Sequence, residues 1–339
     1  MLTAIDLFSG AGGLSVGLSQ EGFNPVAAVE FDPVSAKSYV LNHPKSQVVV
    51  DDIRKVSGPQ LLKVAHIARG ELDLLTGCPP CQGFSTLRSN RRNASKRDKR
   101  NELIVEVLRL TRSIRPRAVI VENVPGLALD SRFDDFKEGL QKSGYHYQYD
   151  ILDASNFGVP QRRKRLVLVA LRDRTVPPDW SSYRCDKITV RDAISHLAPA
   201  GSSGDQLHDM PERRTPAMIR RIRATPKDGG SRQDVPIEMQ CACHRKRRGY
   251  FDVYGRMSWD KVSPTITGGC NNPSRGRFLH PEEDRAITLR EAALLQTFPI
   301  DYQFCIERGK EHIARQIGNA FPPKLIRPIA KAVKKALIA

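Results

Sequence analysis

Short apolar runs, each closed by a glycine, a proline or a carboxylate, recur along the first 172 residues. They read as strands over Thr3–Phe8, Pro25–Glu30, Gln47–Val50, Leu72–Thr76 and Arg117–Val121. Segments with helical spacing stand between them, over Leu14–Glu21, Val34–Asn42, Gln60–Arg69 and Glu102–Ser113. A helix over Phe133–Gly144 and strands near Tyr147–Leu152 and Leu166–Leu171 complete the series. Strands that are apolar on both faces and alternate with helices demand an α/β fold, a mostly parallel, Rossmann-like sheet flanked by helices. From Asp173 the rhythm stops. Pro177-Pro178, Gly201-Ser202-Ser203-Gly204 and Gly229-Gly230 punctuate irregular sequence through about Arg277. A smaller inserted domain over 173–311 is therefore expected, with 1–172 and 312–339 forming the larger one. Thr288 and Glu291 have capping-box spacing for a helix to Gln296. The segment Gln316–Pro323 leads into a last helix over Leu325–Leu337, with Pro322 or Pro323 in its first turn.

The chain carries 54 Lys and Arg against 37 Asp and Glu, a net charge of +17. Such an excess points to a polyanionic partner, most simply nucleic acid. No run of about 18 apolar residues exists, so a membrane span is not expected. The first residues lack a basic n-region and a long h-region, so no secretory signal is expected. The 7 cysteines are an odd number and do not read as a disulfide framework, which suits a reducing cytoplasm.

Chemistry-bearing residues gather at strand ends, where open α/β sheets place their ligands. The first strand breaks at Ser9-Gly10-Ala11-Gly12-Gly13, a loop that lets a ligand approach the backbone at a helix N-terminus. Glu30 closes the second strand, twenty residues after Gly10, the distance at which an acid meets a ribose in nucleotide-binding units. Asp52 and Ile53 follow the third strand and are placed to hold the edge and face of an adenine, or to form a plain surface turn. After the fourth, Cys78-Pro79-Pro80-Cys81-Gln82 forms a stiff turn. By itself it fits a redox pair, half a zinc site, two buried small residues, or one catalytic thiolate at Cys81. Glu122 ends the fifth strand, where burial would hold a carboxyl protonated as an acid.

Three further basic features stand out. The run Arg88–Arg100 has seven basic residues beside the candidate nucleophile and suits phosphates. Gln161, Arg163 and Arg165 would share one face of an extended segment and present donors to a phosphate or a base carbonyl. The inserted region holds Arg213-Arg214, Arg220-Arg221 and Arg245-Lys246-Arg247-Arg248. Cys241-Ala242-Cys243-His244 lacks a fourth ligand at a suitable spacing, so no metal is expected.

In this order the set resembles the bacterial DNA (cytosine-5) methyltransferases. The likeness runs from Asp6-Leu7-Phe8-Ser9-Gly10-Ala11-Gly12-Gly13 to Gly318-Asn319-Ala320. Pro79-Pro80-Cys81-Gln82, Glu122-Asn123-Val124, Gln161-x-Arg163-x-Arg165 and Arg290-Glu291 lie between. The resemblance implies a methyltransferase fold that uses S-adenosylmethionine and releases S-adenosylhomocysteine. It makes Cys81 the nucleophile, Glu122 the contact to N3 of cytosine, and Arg163 and Arg165 the base and phosphate contacts, with Arg165 nearer O2. Phe8 would meet the adenine, Gly10 and Gly12 the methionine half, and Glu30 the ribose. Asp52 and Ile53 would meet the adenine edge and face, and Asn319 and Phe321 would close the pocket. Gly13, Phe31 and Pro80 belong to the same pocket. Members often carry an aliphatic residue where Phe321 stands.

The implied substrate is a cytosine flipped out of double-stranded DNA, read by the inserted domain. The chain is expected to serve a restriction-modification system, with a cognate restriction endonuclease as functional partner, or to be a solitary methylase, and to act as a monomer. The nearest alternative is the related tRNA methyltransferase, against which the long basic insertion weighs. A catalytically silent nucleic-acid-binding protein would have no need of Cys81, Glu122 and Arg165 together. A dehydrogenase fails for want of a hydride-transfer constellation.

Overall fold

The computed structural model describes residues 1–80, 103–173, 179–241 and 252–339. Two compact units emerge, one of Met1–Phe157, Lys164–Cys185 and Phe321–Ala339, the other of Gly158–Arg163 and Asp186–Ala320. Sequence rhythm put the boundaries at 172/173 and 311/312. Contact density puts them at 185/186 and 320/321 and assigns Gly158–Arg163 to the second unit.

The first unit is built on a seven-stranded sheet. Its strands are β1 (Leu2–Leu7), β2 (Phe23–Glu30), β3 (Gln47–Val50), β4 (Leu74–Gly77), β5 (Ala118–Asn123), β6 (Tyr145–Asp153) and β7 (Lys164–Arg172). Their order is β3-β2-β1-β4-β5-β7-β6. Only β7 runs against the rest, antiparallel to both β5 and β6. The mostly parallel sheet expected from the apolar runs is present. Ile5 lies opposite Leu75, and Leu75 opposite Val119. These residues with Leu7 and Val121 form one continuous apolar face. It is covered by α3 (Gly58–Ala65), α4 (Leu103–Ile114) and α5 (Ser131–Lys142). Each large side chain fully buried there contributes about 1.5–3 kcal/mol.

On the other sheet face, α1 (Gly13–Gln20) packs against the C-terminal helix, Pro323–Ile338. At Gly17 a Cβ would run into Ile326 and the Pro323 carbonyl, so the close approach of these helices requires glycine. The helix α2 (Pro33–Asn42) is capped by Asp32, whose carboxylate accepts from the Ser35 amide.

Two helices start or stop where periodicity did not place them. α3 begins at Gly58, because Ser57 and Gln60 form a capping box, and His66 ends it in the left-handed conformation (φ 55°). The stretch ahead of the last helix, which looked like a lead-in, is itself helical over Gly309–Asn319. Its Gly318 is not a breaker. A Cβ there would strike the Thr267–Gly268 main chain, so glycine serves close packing.

The second unit has five α-helices among its described residues: α6 (Val190–Ile194), α7 (Gln206–Asp209), α8 (Pro216–Ala224), α9 (Leu289–Leu295) and α10 (Gly309–Asn319). The last helix of the chain is then α11. Irregular segments need partners for their main-chain carbonyls, and buried arginines supply them. Arg256, fully buried, donates to the carbonyls of Thr225, Ile222, His280 and Glu283 and pairs with Asp284 at 2.6 Å. Arg290 pairs with Asp205 and donates to the Tyr302 carbonyl.

Candidate active site

The sheet order reverses between β1 and β4, since β2 and β3 extend from one side of β1 and β5 from the far side of β4. Ligands of open α/β sheets sit at such a switch point, beyond the carboxyl ends of the strands. Register places Leu7 beside Val29 and Gly77, and Gly77 beside Val121. Glu30, Phe8, Cys78 and Glu122 therefore follow one another along the carboxyl edge.

The turn after β1 is tightly wound. Phe8 has φ 58°, uncommon for a bulky residue. Gly10 and Gly12 also have positive φ, 54° and 92°. The Gly10 amide donates to Glu30 Oε2 at 2.8 Å, and the Asp32 amide to Oε1 at 2.8 Å. Both carboxylate oxygens of Glu30 are thus aimed by main chain. Burial raises its carboxyl above the ordinary range, and those two amides work against the rise. Among the described residues the space above the loop is open, for a Cβ on Gly10 would have no neighbour within 4 Å. The Ser9 hydroxyl is buried with no hydrogen-bond partner among the described residues. Beside Glu30, the Phe31 ring is 72 % exposed. An open cradle, an orphaned hydroxyl, an anchored carboxylate and a bare aromatic ring fit an adenosyl group with an amino-acid tail.

Asp52 is held by Arg54, whose guanidinium hydrogen-bonds both its oxygens and keeps its carboxyl at about 2. Ile53 lies at the edge of the apolar core. It is buried with Leu7, Leu61 and Leu75, and its carbonyl accepts from Arg109. Phe321 is likewise buried in the first unit, whereas Asn319 is exposed at the end of α10 in the second.

On β5, Glu122 is 9 % exposed and pairs with Arg165 of β7, Oε1 to Nε, at 2.6 Å. Asn123 donates to the Pro79 carbonyl at 3.1 Å and so ties the end of β5 to the turn after β4. Pro80 is exposed at that turn. Burial, then the Glu122 and Asp6 carboxylates, push the Cys78 thiol well above its ordinary value. It stays protonated and is a poor nucleophile. Cys81, Gln82 and the basic run Arg88–Arg100 lie outside the described residues, as do Cys243, His244 and the basic run from Arg245.

Arg163 requires a correction. It does not share a face with Arg165 toward a ligand. It is 2 % exposed in the second unit, and its guanidinium donates to the carbonyls of Ile266, Gly318 and Ala320 at 3.0–3.2 Å. Gln161 is buried beside it, on the Leu295 carbonyl and the Ile266 amide. Extended geometry predicted one face, but the chain passes from one compact unit to the other between Arg163 and Lys164.

Sequence reading missed a buried polar network beneath the glycine loop. Asp6 accepts from Ser15 at 2.7 Å and Thr76 at 3.0 Å, and Ser15 meets the Tyr39 hydroxyl at 2.9 Å. Burial raises the Asp6 carboxyl to about 6. A charged residue inside an apolar strand was the available signal.

The sequence pattern of the C-5 cytosine-specific DNA methylases matches residues 2–335. The chain belongs to that family. Type II methylase M.HgiDII of Herpetosiphon aurantiacus is 41 % identical over 98 % of this chain and 95 % of its own. Type II methyltransferase M1.HphI of Haemophilus parahaemolyticus is 35 % identical over 98 % of this chain and 87 % of its own. Among solved structures, a prophage-encoded E. coli protein assigned as a DNA modification methyltransferase superposes with TM-score 0.74 at 24 % identity, covering all of both chains. This methylase thus has the mostly parallel, Rossmann-like sheet expected from its strands and the methyltransferase fold that the resemblance implied. No helix among its described residues is long and apolar enough to cross a membrane.

Proposed function

We propose that this methylase transfers a methyl group from S-adenosylmethionine to C5 of a cytosine flipped out of a specific duplex DNA sequence, through a covalent bond between Cys81 and C6. The observation that carries the reading is the Glu122–Arg165 pair at the end of β5, one strand over from the turn that leads to Cys81. C5 of cytosine is a weak nucleophile. A thiolate that adds to C6 turns C5 into the nucleophilic carbon of an enamine. Negative charge then develops at N3 and O2. Glu122 meets it at N3, and Arg165, fixed against Glu122, meets it at O2.

The bound S-adenosylmethionine supplies an electrophilic methyl group and keeps the bonding pair on sulfur as S-adenosylhomocysteine. Ser9, Gly10 and Gly12 would line its cradle, Glu30 would hold the ribose, and Phe8, Phe31 and Asp52 would meet the adenine. After transfer a base removes the C5 proton, the C5–C6 double bond reforms and the Cys81 thiolate leaves. The second unit reads the DNA sequence. In the bacterial cytoplasm the chain protects sites cut by a cognate endonuclease.

Duplex DNA carrying 5-fluorocytosine tests the covalent step, because fluorine cannot leave as a proton does. The wild-type chain should form an adduct stable to denaturation, and Cys81→Ser none. An equal adduct with Cys81→Ser, or methyl incorporation into tRNA but not duplex DNA, would refute the reading. Sequencing DNA from a methylation-free host expressing the chain identifies the target site.

A further inference from the structure

Three arginines in or just before α8 have no acidic partner among the described residues, whereas Arg214, Lys227 and Arg256 nearby do. The helix starts at Pro216 behind Thr215, whose hydroxyl accepts from the Met218 amide. Ile222 is buried, and Arg221 is held by the Met239 carbonyl at 2.7 Å and lies over the Tyr254 ring. These residues turn one side of α8 inward. Arg220 and Arg223, three apart and hence neighbours on a helix surface, are exposed on the other side.

Beside Arg223 opens a cleft of about 430 Å³, lined also by Arg213, Ile219 and two acids, Glu212 and Asp284. Both acids are already neutralised, Glu212 by Arg214 and Asp284 by Lys227 and Arg256. The guanidinium groups of Arg213, Arg220 and Arg223 form no ion pair or hydrogen bond among the described residues. Nor are they needed to cap the helix. Arg256 takes the Ile222 carbonyl at 2.8 Å and the Thr225 carbonyl at 2.9 Å. Three solvated guanidiniums, neither paired nor buttressed, in a chain of charge +17, lack the second-residue support that fixes an arginine for bidentate reading of a base edge. They suit phosphodiester oxygens, which accept from many directions.

We propose that the exposed face of α8, through Arg220 and Arg223 with Arg213 beside them, grips the DNA backbone and contributes affinity without sequence choice. The proposal rests on the DNA-methylating reading above. Its test is binding of a fluorescein-labelled mixed-sequence duplex to the full chain across a KCl series. Arg220→Gln and Arg223→Gln should each lower the slope of log K against log salt by about 0.9, and the double variant by about 1.8. Plasmid sites methylated, affinity for radiolabelled S-adenosylmethionine and thermal midpoint should not change. An unchanged slope in the double variant, with methylation intact, overturns this proposal alone. Relaxed site choice overturns the backbone assignment in favour of base reading. A wild-type chain that neither binds nor methylates DNA removes the underlying reading as well.

Discussion

Asp6→Asn should stabilise the first unit at neutral pH and lose that advantage in acid. Asp6 is 1 % exposed, and burial raises its carboxyl to about 6 against the ordinary 3.8, with the Glu30 charge adding to the rise. The folded state therefore holds this proton more tightly than the unfolded chain. Asp6 contributes most below about pH 4, and that contribution is lost as pH rises to about 6, then stays flat. The gap between 3.8 and about 6 amounts to about 3 kcal/mol. Asparagine is neutral throughout and fits the same partners. Its Oδ1 can accept from Thr76, and its amide can donate to Ser15, which passes its own proton to the Tyr39 oxygen. At about 2–4 °C per kcal/mol for a unit of this size, the variant should melt roughly 6–12 °C higher than wild type at pH 7.5. The difference should shrink toward zero near pH 4. Differential scanning fluorimetry of both proteins across that range measures it. A gap independent of pH, or a variant less stable at pH 7.5, would refute the buried-charge account. Asp6→Ala, which removes the acceptor that Ser15 and Thr76 share and leaves a cavity, should melt lower than Asp6→Asn at every pH.

Arg163→Lys should destabilise the second unit, because one ammonium cannot serve the Ile266, Gly318 and Ala320 carbonyls together. Each stranded carbonyl costs about 1–3 kcal/mol, and chemical denaturation reads the loss. Adduct formation per folded molecule at low temperature should persist, whereas its abolition in a fully folded variant would restore Arg163 to the chemistry. Gly17→Ala should destabilise the first unit by about 1–3 kcal/mol through overpacking of α1 on α11 and so lower its thermal midpoint, and an unchanged midpoint would show that the helices can part.

Much of this protein was written in residue order. Apolar runs closed by Gly10, Glu30, Gly77 and Glu122 determined a parallel sheet with its chemistry at the strand ends, since strand length, burial and turn residues are local properties. The helical insertion at Pro216–Ala224 and the helix before the last one were not visible. Their apolar faces are narrow, and Gly318 looks like a breaker until the Thr267 backbone is seen against it. Tertiary structure alone separated two arginines two residues apart. Arg165 ends on the Glu122 carboxylate, while Arg163 turns into a core of loop carbonyls. Asp6 stood in the sequence as a charge inside an apolar strand, but tertiary structure alone set it among Ser15, Thr76 and Tyr39. Which charge meets which depends on chain segments far apart in sequence, and no local pattern records that distance.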